Sequence, residues 1–462
     1  MSNESMHWIT NRLRGHADVP AIIRGERVTT YDSLLDQLSV VSAALDRAGI
    51  VAGERVVVIG DFGTVSTALL LDLIVRRAVI IPMTVTTAKR RVVLFGICAG
   101  QWCIEADEEV GIGSLTITQL SCAAAPNSTH TLFAELVTRK VPGLVLFTSG
   151  STGEPKAVVH DFSGLLEKFR VQGKSLRTLN FLLFDHWGGL NTLLHTLTSG
   201  GLVACPLSRN PEHVCGLIEK YRLELLPASP SFLNMMLVSG AYKKNDLSSL
   251  RLITYGAEPM PATTLSRLNR ELKGVEFRQT YGLIELGVLR AKSAGNDSLL
   301  VKLGGDGYDL RVVNGMLEIK AKASMLGYLN APSPFTDDGY FRTGDKVEQH
   351  GEFVRIIGRE SEQINVGGEK VFPVEVETVL LECPLVVDAI VFGAGHPLSG
   401  KVVCADVVRV VSDVEDSVLR TSIRKFCNER LESYKVPVKI RFVDRPLTGD
   451  RQKRVRVGRG EA

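Results

Sequence analysis

The sequence predicts an α/β protein in which a large N-terminal domain of βα layers carries a β-rich section and leads into a small α+β C-terminal domain. Three observations carry this. Apolar strand-like runs alternate with helical periodicity through the first half of the chain. Short strands with turn signals replace that rhythm from about Gly287 to Tyr340. A fresh strand and helix pattern, long enough to bury its own core, begins after Arg359.

Taken in order, Thr30-Tyr31-Asp32-Ser33 opens a helix whose apolar positions recur as Leu38, Val41, Ala44 and Leu45, and Gly49 and Gly53 bracket its end. Arg55–Gly60 reads as a strand, Val65–Arg77 as a helix and Ala78–Pro82 as the next strand. Strands alternating with helices of this length argue for a mainly parallel sheet covered on both faces. The rhythm recurs at Gly143–Phe147, Phe181–Phe184 and Leu250–Thr254. The β-rich section offers strands at Val301–Leu303, Gly307–Val313 and Met316–Ile319. Beyond it the pattern predicts a helix from Pro373 to Leu381, strands at Val386–Phe392 and Val402–Val408, a helix over Val414–Leu431 and a strand at Lys439–Val443. The polar stretch Gly358-Arg359-Glu360-Ser361 suits a hinge, so the expected domains are 1–358 and 359–462.

Composition excludes several classes. Lys+Arg 54 against Asp+Glu 51 leaves a net charge of +3 over 462 residues, too near neutral for a nucleic-acid or anionic-membrane surface to dominate. With 45% hydrophobic and 23% charged residues there is ample core-forming material, and neither disorder nor a fibrous class fits. The first residues hold no apolar run of the kind a secretory signal needs. The greasiest stretch, Val65 to Val85, carries Asp72, Arg76 and Arg77, so no transmembrane segment is expected. The 8 cysteines form no CxxC pair and no Cys/His cluster, so the default expectation is a reducing, cytoplasmic setting. No internal repeat is present. The basic run Arg451–Arg456 reads, from charge alone, as a solvated terminus.

The sharpest chemistry lies in Leu146-Phe147-Thr148-Ser149-Gly150-Ser151-Thr152-Gly153-Glu154-Pro155-Lys156. An apolar strand runs into a Gly/Ser/Thr loop closed by a lysine. Glycines let backbone N–H groups wrap an anion, hydroxyls add donors, and the lysine adds charge. A Ser/Gly loop by itself also serves as a plain connector, and the spacing is not that of a Walker loop.

In its full form, TSGSTG-x-PK resembles the phosphate loop of the adenylate-forming family, which includes acyl- and aryl-CoA synthetases, firefly luciferase and peptide-synthetase adenylation domains. The resemblance recurs in chain order. Tyr255-Gly256-Ala257-Glu258-Pro259 is similar to the family's adenine-facing turn, and Thr280-Tyr281-Gly282-Leu283-Ile284-Glu285 matches its Y-G-x-T-E pattern except at Ile284. Tyr340-Phe341-Arg342-Thr343-Gly344-Asp345 looks like the ribose-binding stretch. Gly358-Arg359, Gly367-Gly368-Glu369-Lys370 and Pro373 onward resemble the hinge and first elements of the mobile domain, and the tail after Tyr434 resembles the closing segment that brings a lysine to the site.

The resemblance implies roles that chemistry supports. Carboxylate and ATP repel one another, so joining them needs cations and donors clustered at the α-phosphate. Thr148, Ser149, Gly150, Ser151, Thr152, Gly153 and Lys156 would cradle the triphosphate, and Glu285 would hold Mg²⁺, a hard ion that prefers oxygen. Gly256, Ala257, Glu258, Thr280, Tyr281 and Gly282 would surround the adenine. Asp345 would accept both ribose hydroxyls, and Arg359 would add a donor to ribose or phosphate. Each has a plainer reading: a salt-bridged glutamate, a buried tyrosine, a turn aspartate, a solvated arginine. Lys453 would bridge carboxylate and α-phosphate, with Arg451 and Arg454 as rivals, because the tail's Pro-to-Lys spacing is one residue longer than usual and glutamine replaces a glycine. Ile284 removes a hydroxyl that would meet the phosphate, worth about 1–3 kcal/mol if nothing compensates. Ser361 stands where the family's hinge has aspartate or lysine.

The acid pocket is expected around Asp185, His186, Trp187, Gly189 and Asn191. His186 with Gly189 is similar to the H-x-x-G of acyl- and aryl-CoA synthetases, while Phe184-Asp185 echoes amino-acid-activating domains, which would need serine at Trp187. The remaining lining is apolar, favouring a hydrophobic or aromatic acid. A buried Asp185 would be costly without partners, so it is expected to meet His186 or backbone N–H groups. Gly367 and Gly368 would line a tunnel for pantetheine. The expected reaction is ATP-dependent formation of acyl-AMP followed by thioesterification to CoA. A carrier-protein phosphopantetheine is the alternative acceptor, and a non-catalytic adenylate-binding protein is the alternative of another class.

Overall fold

In the computed structural model the described residues are 4–109, 115–120, 130–149, 154–397, 399–411, 413–444, 447 and 456. Gly150, Ser151, Thr152, Gly153 and Lys453 lie outside them, as do Arg451 and Arg454.

Two seven-stranded sheets form the body of the N-terminal domain. The first runs Glu276–Gln279, Leu252–Tyr255, Leu225–Ala228, Arg177–Leu179, Leu202–Cys205, Pro20–Arg24 and Arg27–Thr30, parallel except at its last pair. The second has a parallel centre of Gly143–Ser149, Val79–Met83, Arg55–Ile59 and Trp102–Glu105, flanked by antiparallel edges. Helices Tyr31–Ala48, Thr64–Arg76 and Trp187–Thr198 contribute to the core that covers inner faces of both sheets. The first of these starts where Thr30 accepts from the Ser33 N–H and stops at Gly49, whose φ of 79° only glycine adopts cheaply.

The third sheet, also seven-stranded, is antiparallel throughout and builds the β-rich section from Tyr281–Leu283 to Phe353–Arg359. A separate core of Ile364, Val371, Val376, Leu380, Val391, Val403, Ile423 and their neighbours forms the small C-terminal domain. Its long antiparallel pair, Val386–His396 with Gly400–Arg409, gains a parallel neighbour in Lys439–Phe442, and helices Pro373–Glu382 and Asp416–Asn428 complete it.

One strand lies elsewhere than the sequence suggests. Phe181–Phe184 is not a strand; the ladder is made by Arg177–Leu179. The chain turns back as the Phe181 N–H donates to the Leu179 carbonyl, and Phe181 then packs on Phe232 with ring centroids 4.3 Å apart. The run is apolar because it threads the core as a loop. The tail likewise departs from a solvated terminus at Arg456. Its guanidinium lies 2.9 Å from both oxygens of Glu377, whose side chain is 1% exposed, and 3.2 Å from Glu362.

Candidate active site

The hairpin of Gly143–Ser149 and Pro155–Asp161 sets Thr148 opposite Lys156 and Ser149 opposite Pro155, so both ends of the expected phosphate loop are held by one ladder. The Lys156 ammonium sits 5.4 Å from the ring centroid of Tyr328. The Tyr328 hydroxyl donates to Glu285 Oε1 at 2.9 Å. Glu285 Oε2 takes no hydrogen bond or ion pair among the described residues.

Beside Glu285, the buried Asp345 accepts from the Tyr281 hydroxyl at 2.6 Å and pairs with Arg359 Nε at 3.2 Å. Burial raises the Asp345 carboxyl above its ordinary range, opposed by the Arg359 charge and the Tyr281 hydrogen bond. Burial also raises the Tyr281 hydroxyl well above its usual value, reinforced by the Asp345 charge, so it stays a neutral donor. Arg359 in turn feels the negative charges of Asp345 and Glu285. Lys156, Tyr328, Glu285, Arg359, Asp345 and Tyr281 therefore form one continuous set drawn from five segments of the chain.

Next to this set lies the turn after the Leu252–Tyr255 strand. A Cβ on Gly256 would sit 2.5 Å from the Thr280 carbonyl oxygen, so glycine there lets the two strand ends approach. Ala257 holds φ at 70°, a left-handed conformation a side chain adopts at some cost. Glu258 accepts from the Ser231 N–H, and the Thr280 hydroxyl donates to the Tyr255 carbonyl. Gly282 lies so near Val288 that a Cβ would come within 3.0 Å of its Cα.

Ile284 does a different job from a phosphate-facing hydroxyl. Its side chain packs against two cores, and its carbonyl accepts a 2.6 Å hydrogen bond from Nε2 of the buried His160. Desolvation lowers His160 to about 4, so its neutral ring carries its proton on Nε2.

The expected acid-pocket residues divide. Asp185 is 3% exposed and accepts from the Thr87 hydroxyl at 2.5 Å, a partner from a distant segment that the sequence did not suggest. His186 caps helix Trp187–Thr198 by accepting from the Gly188 N–H. Trp187 packs edge-on against Phe162 in the core, and a Cβ on Gly189 would sit 2.4 Å from the Leu183 carbonyl oxygen, so these two serve packing. Asn191 is partly buried, and its Oδ1 takes no hydrogen bond among the described residues.

Farther along, Gly358 packs near Phe372 and Ser361 lies in the short 3₁₀ turn Glu360–Glu362. Gly367 and Gly368 (φ 59° and 98°) form the two-residue turn between Ile364–Val366 and Glu369–Val371. The positive φ at both positions favours glycine in that turn. A cleft of about 460 Å³ is lined by Thr343, Gly344 and Lys346 of the third sheet and by Glu360, Lys370 and Phe372. Among the described residues no helix is long and apolar enough to cross a membrane, and no group of three or more His, Cys, Asp or Glu side chains could hold a metal.

Two mixed sheets, an antiparallel third sheet, a small C-terminal domain and a carboxylate–guanidinium–phenol cluster beside the hairpin that carries Thr148 and Lys156 define a nucleotide-handling α/β protein. Residues 107–305 match the AMP-binding enzyme model and residues 375–451 the AMP-binding enzyme C-terminal domain. The chain is 30% identical over 343 residues to a feruloyl-CoA synthase of an Amycolatopsis species, covering 66% of this chain and 67% of that one. It is 30% identical over 332 residues to an indoleacetate–CoA ligase of Aromatoleum aromaticum, covering 66% of this chain and 64% of that enzyme. The matched stretch thus spans about two thirds of these curated relatives. The fold is that of an anthranilate CoA ligase solved with anthranoyl-AMP, with a TM-score of 0.79 at 20% identity over 98% of this chain and 97% of that one. The chain belongs to the AMP-binding enzyme family.

Proposed function

We propose that this protein activates a hydrophobic or aromatic carboxylic acid with ATP and passes the acyl group to the thiol of CoA, as an acid–thiol ligase. In the first step a carboxylate oxygen attacks the α-phosphorus and the bond to pyrophosphate breaks, leaving acyl-AMP. In the second the thiol sulfur attacks the acyl carbon, loses its proton, and AMP departs. The observation that carries this reading is the shared cluster of Lys156, Glu285, Asp345 and Arg359, a cation, an anchored carboxylate and a buried carboxylate paired with an exposed guanidinium, beside the phosphate-loop hairpin. Relatives named for indoleacetate and ferulate support an aromatic acid.

Asp345 would accept the ribose hydroxyls, with Arg359 holding its second oxygen. The turn at Gly256–Glu258 with Tyr281 would receive the base. Glu285 offers a hard oxygen donor with one oxygen already fixed, which fits Mg²⁺ held mainly by phosphate oxygens. That ion would neutralise charge on the departing pyrophosphate. Lys453 would bridge the carboxylate and the α-phosphate, and rotation about a joint at 358–359 would exchange the two half-reactions.

ATP–pyrophosphate exchange on the parent and on Lys453→Ala, with thioester formation from supplied acyl-AMP, tests the reading. The parent should exchange, and the variant should lose exchange while keeping thioesterification. A parent that shows no exchange with any acid contradicts it.

A further inference from the structure

Glu285 and Lys156 carry opposite charges within reach of the same tyrosine, yet they form no ion pair with each other among the described residues. Tyr328 stands between them. Its hydroxyl donates to Glu285 Oε1, while its ring face carries the Lys156 ammonium 5.4 Å from the centroid. A lysine or arginine at that place would also orient the carboxylate, but it would cancel the charge a divalent cation needs. A phenol orients without cancelling. A ring face likewise holds an ammonium by its quadrupole and leaves its N–H donors open to an anion.

Tyr328 is itself fixed by a short strap. The Met325 N–H donates to the Glu285 carbonyl at 2.7 Å, so the same segment grips the backbone and side chain of that residue. Gly327 and Tyr328 pair with Val159 and Val158, and the Leu329 N–H donates to the Ala157 carbonyl. Asn330 closes the strap by accepting from the Ala157 N–H and donating to the Pro155 carbonyl, each at 2.9 Å. Pro155 opens the strand that leaves the Gly/Ser/Thr loop.

We infer that Tyr328 is a positioning residue that keeps Glu285 and Lys156 apart and correctly aimed, so that one can receive a divalent cation and the other the phosphates of the same nucleotide. The inference rests on the adenylation reading and extends it to a residue that chemistry at the nucleotide would not touch.

The test is calorimetric titration with ATP, in Mg²⁺ and in EDTA, of the parent, Tyr328→Phe, Glu285→Gln and the double variant. The phenylalanine keeps the ring and its packing, so the fold is spared. Loss of one hydrogen bond to a charged group should weaken binding by roughly tenfold in Mg²⁺, with no change in EDTA. On the Glu285→Gln background the same substitution should change nothing, because its only route is through that carboxylate. Equal losses with and without Mg²⁺, or a full further loss in the double variant, would overturn the inference and leave a merely structural tyrosine. A parent that binds no ATP would overturn the nucleotide reading and this inference with it. A parent whose Mg²⁺-dependent increment survives intact in Tyr328→Phe would overturn the inference alone.

Discussion

Arg359 Nε lies 3.2 Å from Asp345 Oδ1, and the two residues face each other across neighbouring antiparallel strands. The pairing is set by register, so it belongs to the third sheet and needs no chance meeting of long side chains. The strand that ends at Arg359 also leads into the small domain.

Replacing Asp345 by asparagine keeps the shape and removes the charge. The expected cost in AMP binding is about 1.5–3 kcal/mol, or roughly a ten- to hundredfold weaker affinity. Calorimetric titration with AMP measures it, and unchanged affinity would remove Asp345 from the nucleotide site.

Arg456 neutralises Glu377, which is buried and also accepts from the Val391 N–H at 2.9 Å. Arg456→Ala would remove the cation of that buried pair, at a cost of about 3–5 kcal/mol. Glu362 is more exposed and contributes far less. Urea unfolding of the variant should show the C-terminal domain failing first. A midpoint within error of the parent's would show that Glu377 finds another partner.

Much of this architecture could be read from the sequence, because strand and helix periods are local signals. The helices at Tyr31–Ala48 and Pro373–Glu382 and the β-rich section fall where their patterns put them. Phe181–Phe184 misled because burial, not ladder pairing, explains its apolar character. Motifs in the sequence singled out Glu285, Asp345 and Lys156, which the structure brings into one cluster. Tyr328 and His160 were not, since the tyrosine meets Glu285 from 43 positions away and the histidine meets Ile284 from 124, with no periodicity to betray either contact. Gly327-Tyr328-Leu329-Asn330, an aromatic followed two residues later by an asparagine, was the available signal for the strap. Arg456 looked solvated because nothing in a basic tail reveals a buried glutamate elsewhere.

His160 should make stability depend on pH. Its folded value of about 4 lies below the ordinary 6.5, so between those values the unfolded chain holds a proton the folded chain lacks. Stability is therefore fully present above about pH 6.5 and is lost as pH falls towards 4, by about 3 kcal/mol in all. His160→Gln should flatten this slope in denaturant unfolding at pH 7 and pH 4.5, compared with the parent. An equally steep slope in the variant would assign the dependence to other groups.

The central claim is that an acid is activated at the cost of ATP and then passed to a thiol. Pyrophosphate release measured over fatty acids, benzoates, cinnamates and amino acids, each with and without CoA, tests it most directly. The account predicts release that requires an aromatic or hydrophobic acid and rises when CoA is added. Release that is absent with every acid would contradict it and would leave a protein that binds adenylate without making it.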